Sequence, residues 1–113
     1  MKKNENYKYG VYHTPGEELM RYKFTEENGD IGEVRITKVP ESIRFPEGIK
    51  YSCAYIRNHK RLIGYDNSEG DQQGPNHHKH IKDRIVRYEF TDMWKLLEDF
   101  NEDIEKIKRG TIP

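Results

Sequence analysis

Ile49-Lys50-Tyr51-Ser52-Cys53-Ala54-Tyr55-Ile56-Arg57 alternates residue by residue, Asn58-His59 interrupts it, and Lys60-Arg61-Leu62-Ile63-Gly64-Tyr65-Asp66 runs on as a second extended segment. In the first segment Ile49, Tyr51, Cys53 and Tyr55 fall on one face, the period of a half-buried strand. Asn58-His59 is short enough for a tight turn, so the two segments read as an antiparallel hairpin. Working outward, Leu19 to Phe24 alternates and Asn28-Gly29 follows, two residues that tolerate positive φ and mark a hairpin. Its partner is Glu33 to Val39, with Val34 and Ile36 on one face, ended by Pro40. Pro40, Pro46 and Gly48 make residues 40–48 a loop. On the other side of the opening hairpin, Asn67 to Asn76 has no apolar residue and reads as a long connection. Arg84 to Phe90, with Ile85, Val86, Tyr88 and Phe90, reads as the last strand.

The chain closes with a helix. Thr91 or Asp92 can cap it, Met93, Leu96, Leu97, Phe100, Ile104 and Ile107 recur at helical spacing, and Gly110 is a natural stop. Glu98, Asp99, Glu102, Asp103 and Glu105 then form a solvated acidic side, with a docking surface for a basic partner as the lesser alternative. The expected fold is α+β: a four- or five-stranded, mainly antiparallel sheet with a C-terminal amphipathic helix packed on one face. Residues 1–18, rich in Lys, Asn, Glu, Tyr and Gly, read as a mobile arm with a short strand at Tyr9 to Tyr12, and 19–113 as one domain.

Composition sets the limits. The 113 residues hold 33% hydrophobic and 35% charged side chains, which suits a thin core under a charged skin. Lys and Arg number 20 and so do Asp and Glu, so a uniformly basic nucleic-acid binder is excluded. Charge is nevertheless uneven. Residues 77–90 carry Lys79, Lys82, Arg84 and Arg87 against Asp83 and Glu89, whereas 95–106 carry the five helix acids against Lys95 and Lys106. One cysteine, Cys53, precludes an internal disulfide and reads as a small buried hydrophobe. No secretory leader or membrane-spanning run is visible, so a cytoplasmic protein is expected.

Chemistry concentrates at His77-His78-Lys79-His80. A solvated loop could carry three histidines without purpose, but imidazole both takes and gives a proton near neutral pH, and long loops in small domains often carry function. If the chain is extended from 77 to 90, His78, His80, Lys82, Arg84 and Tyr88 share one face. Two imidazoles beside cations and a phenol suit phosphodiester cleavage: one His deprotonates a ribose 2′-hydroxyl, the other protonates the leaving oxygen. Lys79, Lys82 and Arg84 would hold phosphate, Asp66 would orient a histidine, and His77, Tyr65 and Asn67 would border the site. Asn67 reads more simply as turn chemistry. The His-x-His pair can instead ligate a metal with Asp66 or His77, but no second Cys or His pair of zinc-site spacing accompanies it. The expected site uses no cofactor, with a metal at the histidine cluster left open as the lesser alternative.

Arg61-Leu62-Ile63-Gly64-Tyr65-Asp66-Asn67, a gap, and His77-His78-Lys79-His80 resemble the TumE-type toxins of prokaryotic toxin–antitoxin modules, over roughly residues 50–109. Those proteins show Tyr-Asp-Asn, then a His-His-Arg/Lys-His cluster, then a closing helix. Ser68-Glu69 stands where many members have Ala-His, so no role is carried over for a histidine there. The resemblance implies a growth-inhibiting toxin paired with a DNA-binding antitoxin. Joined to the residue reading, it gives a small metal-independent ribonuclease acting on RNA. The alternatives are a non-catalytic nucleic-acid or protein-binding module and a metal-dependent hydrolase. Exposed hairpin edges allow a homodimer.

Overall fold

The computed structural model describes residues 16–68 and 74–112. Within them, six strands form one antiparallel meander: β1 (Glu18–Thr25), β2 (Ile31–Lys38), β3 (Ile49–Arg57), β4 (Lys60–Asp66), β5 (His78–Ile81) and β6 (Arg84–Arg87), each paired with the next. One helix, α1 (Met93–Arg109), follows. The count exceeds the four or five strands expected because the histidine segment is itself a strand. The expected arm over 1–18 and the short strand at Tyr9 to Tyr12 lie almost wholly outside the described residues. Gly16 and Glu17 already pair their backbone with Lys38.

The turns follow local chemistry. At Asn28-Gly29, Gly29 takes φ 94° and the Asn28 side chain accepts the Asp30 N–H at 2.9 Å. Asn58 and His59 both adopt positive φ, 50° and 65°, the pattern of a two-residue turn matched to strand twist. Lys82, at φ 54°, turns the chain between β5 and β6 with no glycine or asparagine to announce it. Arg84 to Phe90 is consequently strand only as far as Arg87.

Directly paired residues share a face, so the register sorts every side chain. Val34, Cys53, Tyr65, Lys79 and Val86 form one cross-strand row, and Tyr55, Ile63 and Ile81 another. These rows lie under α1: Tyr65 packs edge-on against Phe100, with centroids 6.1 Å apart. The core of Val34, Ile36, Tyr51, Cys53, Tyr55, Ile63 and Tyr65 meets Leu96, Phe100, Ile104 and Ile107 from the helix. Each large side chain buried in this way contributes roughly 1.5–3 kcal/mol. Cys53 is buried, and burial pushes its thiol up to about 12.

Asp92 caps α1, its carboxylate accepting the Lys95 N–H at 2.9 Å, and Gly110 closes it at φ 75°. One part of the helix differs from the sequence reading. Asp103 is buried, and Asp99 turns inward to accept the Tyr88 hydroxyl at 2.6 Å. Asp103 lies three residues after Phe100 and four before Ile107, which puts it on the apolar stripe rather than the solvated side.

Candidate functional site

Alternation along β5 divides its chemistry between the two faces of the sheet. Lys79 and Ile81 point under the helix; His78 and His80 point to the opposite face. Across the β4–β5 ladder, His78 pairs with Asp66 and His80 with Gly64. This register brings Asp66 Oδ1 to 3.2 Å from His78 Nε2 and Asp66 Oδ2 to 3.6 Å from His80 Nε2. The two imidazoles meet edge-on with centroids 4.9 Å apart. All three residues are at most 9% exposed.

Backbone contacts fix the orientation. His78 Nδ1 donates to the Asn76 carbonyl at 3.1 Å, which leaves the lone pair of the neutral ring on Nε2, facing the carboxylate. The Ser68 N–H donates to Asp66 Oδ1 at 3.3 Å. One atom from each of Asp66, His78 and His80 lies within 4.8 Å of the other two. Such an arrangement can orient and move protons, or it can ligate a cation.

The remaining sequence candidates are dispersed. Lys82 sits in the turn, with Nζ 3.5 Å from the Ile112 carbonyl, and Arg84 pairs with Ile81, outside the histidine row. Tyr88 crosses to the helix side, stacks edge-on against Tyr65 and donates to Asp99. The expected face of His78, His80, Lys82, Arg84 and Tyr88 is thus reassembled: the turn at Lys82 reverses the chain, so Arg87 and Ile85 are the cross-strand neighbours of His78 and His80.

Lys79 and Tyr65 also belong to the covered face. Tyr65 donates to Asp103 Oδ2, Lys79 Nζ lies 3.2 Å from the same oxygen, and burial, with the hydrogen bond to Asp103, holds the Tyr65 phenol far above its ordinary range. Asn67 accepts the Tyr51 N–H at 2.9 Å and donates to the Ile49 carbonyl at 3.0 Å, tying the end of β4 to the start of β3. His77 turns away from the cluster. Its Nδ1 is 2.8 Å from the Tyr51 hydroxyl, its Nε2 is 3.2 Å from Glu47, and its ring stacks on Phe90.

Two arginines not among the sequence candidates flank the cluster. Arg87 is the cross-strand partner of His78. Arg61 lies across Gly64: a Cβ there would sit 2.8 Å from Arg61 Cδ and 3.5 Å from Cζ. A glycine inside a strand often marks such a close approach, and that was the available signal. On the β3 side, Ser52 pairs with Asp66 and borders a groove of about 890 Å³ of mixed charge, where Arg21 and Arg35 pair with Glu18 and Lys23 pairs with Glu33. Beyond β5 a smaller hollow of about 260 Å³ is lined by Asn76, His78, Ile85 and Arg87.

Comparison with protein families matches residues 4–108 to the family described as Toxin TumE. The chain belongs to the TumE toxin family. The match extends well beyond the C-terminal half on which the resemblance was read, so the β1–β3 half of this TumE chain is family structure too. No curated protein and no solved structure matches it. Membership implies a toxin of a toxin–antitoxin module and, in general, an antitoxin partner. Among the described residues of this TumE chain, no helix is long and apolar enough to cross a membrane.

Proposed function

We propose that this TumE-family toxin cleaves RNA, with Asp66, His78 and His80 as the reaction centre. The observation that carries the reading is the convergence of two imidazoles and a carboxylate on the sheet face opposite α1, beside Arg61 and Arg87 and at the hollow that His78 lines. In the reaction, a ribose 2′-hydroxyl attacks phosphorus and loses its proton, the P–O5′ bond breaks, and the departing 5′-oxygen gains a proton. The products are a 2′,3′-cyclic phosphate and a 5′-hydroxyl. Arginine suits the flanking role because its planar fork matches two phosphate oxygens.

A metal-free division of labour requires two imidazoles on opposite sides of the scissile phosphate. Here both Nε2 atoms turn toward one carboxylate, an arrangement that favours a single centre over two flanking groups. The roles expected for Lys79 and Tyr88 as phosphate and site contacts are not part of the proposal, because both are engaged beneath the helix.

Purified toxin incubated with single-stranded RNA should yield fragments ending in cyclic phosphate. His78→Ala and His80→Ala should each slow cleavage by roughly 100-fold or more, the usual scale for a lost proton-transfer or activating group. Circular dichroism of each variant separates loss of chemistry from loss of fold. Undiminished cleavage by a folded double variant, or salt-sensitive RNA binding without turnover by the unaltered protein, overturns the assignment.

A further inference from the structure

We propose that Asp66, His78 and His80 form a two-histidine, one-carboxylate site for a divalent first-row transition-metal ion. The inference rests on the same cluster as the proposed cleavage and names the cofactor that cleavage would use.

Distance is the first argument. Ligands about 2.0–2.2 Å from a shared ion stand roughly 3.3–3.6 Å apart when the ion is tetrahedral and roughly 2.8–3.1 Å apart when it is octahedral. The two nitrogen-to-carboxylate distances here, 3.2 and 3.6 Å, are close to the tetrahedral spacing. One donor atom from each residue lies within 4.8 Å of the other two, so Asp66, His78 and His80 can close on to one ion by side-chain adjustment.

Protonation is the second. Because His78 Nδ1 donates to the Asn76 carbonyl, a neutral ring presents a lone pair at Nε2 directly to a carboxylate oxygen. Two lone pairs face each other at 3.2 Å only with a proton or a cation to join them. Metal-bound histidines characteristically donate their second N–H to a backbone carbonyl, which fixes the tautomer and raises the basicity of the ligating nitrogen.

Placement is the third. His78 and His80 are i and i+2 on β5, and Asp66 stands opposite His78 on β4. Both strands are internal to the sheet, hydrogen-bonded on either side, so the ligand vectors are set before any ion arrives. Three protein ligands of this type leave coordination positions for water and for a phosphate oxygen. Of the three, His78 lines the hollow beyond β5, and Asp66 pairs with Ser52 at the border of the larger groove.

The donor set selects the ion. Two imidazoles and one carboxylate suit Zn²⁺, Co²⁺, Mn²⁺ or Fe²⁺, whereas Mg²⁺ and Ca²⁺ prefer all-oxygen sites. The chain's one thiol is absent from the set: Cys53 is buried on the helix-facing side.

The test is titration of chelator-treated, dialysed full-length protein with Co²⁺, followed by visible absorption and calorimetry, then repeated with Zn²⁺, Mn²⁺ and Mg²⁺. One equivalent of Co²⁺ should bind with ligand-field bands, and Zn²⁺ should displace it. Mg²⁺ should leave both signals unchanged. Asp66→Asn, His78→Ala and His80→Ala should each weaken Co²⁺ binding at least 100-fold, while His59→Asn, in the exposed β3–β4 turn, should not. Thermal unfolding without metal confirms that each variant is folded. Absence of stoichiometric Co²⁺ or Zn²⁺ binding at micromolar free metal overturns the inference, as does binding that survives all three substitutions. RNA cleavage that persists in chelator sinks the metal and leaves the nuclease; tight Zn²⁺ binding without RNA cleavage does the reverse.

Discussion

The two faces of the sheet partner their inward-turned carboxylates in different ways. Toward the helix, Asp103 meets Tyr65 and Lys79, Asp99 meets Tyr88 and Lys95, and Asp30 meets Tyr55 and Arg57. Each is a tyrosine hydroxyl plus a cation that stays charged throughout the physiological range. On the opposite face Asp66 meets two histidines. An imidazole can shed its charge and become a Lewis base, which lysine and arginine do not do near neutral pH. The first arrangement is built to stay closed. The second, on the proposed reading, exchanges a proton for a metal ion or for another proton.

The largest expected effect comes from opening a closed triad. Asp103→Ala leaves the Lys79 ammonium, only 24% exposed, and the Tyr65 hydroxyl without their shared acceptor. The loss should be about 2–3 kcal/mol of stability, the low end for a broken buried ion pair because water still reaches Lys79. Asp66→Ala in metal-free protein should cost only about 1 kcal/mol, since the histidines can become neutral. Urea unfolding of both variants decides the matter. Equal losses would mean that the histidine cluster is structural like the others, and the contrast would collapse.

Acid sharpens the comparison. The Arg57 guanidinium, aided by the Tyr55 and Asn28 side chains, holds Asp30 below the usual carboxylate range against the opposing effect of burial. A lowered carboxylate stabilises the fold above its unfolded value of about 3.9, and that contribution is lost as pH falls through the folded value. Asp30→Asn should therefore cost roughly 1–2 kcal/mol at neutral pH, a figure reduced because Arg57 is partly exposed. The gap between variant and parent should narrow below about pH 4. A gap that is constant from pH 6 to pH 3 would show that the ion pair contributes nothing and that only the Asp30 hydrogen bonds matter.

Local signals made most of the fold legible. The β3–β4 hairpin, the Asn28-Gly29 turn, the Asp92 cap and the Gly110 stop are each encoded within a few residues, and β3 and β4 have the limits expected from alternation. What escaped depends on partners distant in sequence. His78–Ile81 carries no alternating apolar face because its inward side holds Lys79, whose partner Asp103 is 24 residues away. The turn that follows depends on Lys82 in a conformation usually left to glycine or asparagine. Missing that turn kept the histidine row straight and assigned it Arg84 and Tyr88 in place of Ile85 and Arg87. Asp66 and the two histidines were legible as a group. Gly64 inside β4 was the one sequence signal for Arg61, whose position across that glycine is set by the folded strand.

Two glycines, one on each face, offer the finest test of the contrast. A Cβ on Gly32 would sit 2.1 Å from the Phe24 ring, which lies over that glycine from β1 and packs against the core. Displacing an aromatic ring from a packed face should cost about 1–3 kcal/mol for Gly32→Ala. On Gly64 the obstacle is the Arg61 side chain, a flexible stem that can swing into solvent. Gly64→Ala should change stability by less than about 1 kcal/mol, a surface-like effect. Its consequence should appear instead in RNA binding. With Arg61 moved off β4, affinity should fall and the slope of log affinity against log salt should become shallower by about one phosphate contact. Arg61→Met in the Gly64 background should reproduce that slope without the steric push. If Gly64→Ala weakens binding while Arg61→Met leaves the slope unchanged, the guanidinium is not a phosphate contact. The glycine would then be needed for the course of β4 beside His80, and the histidine face would be more tightly specified by packing than its exchangeable cluster suggests.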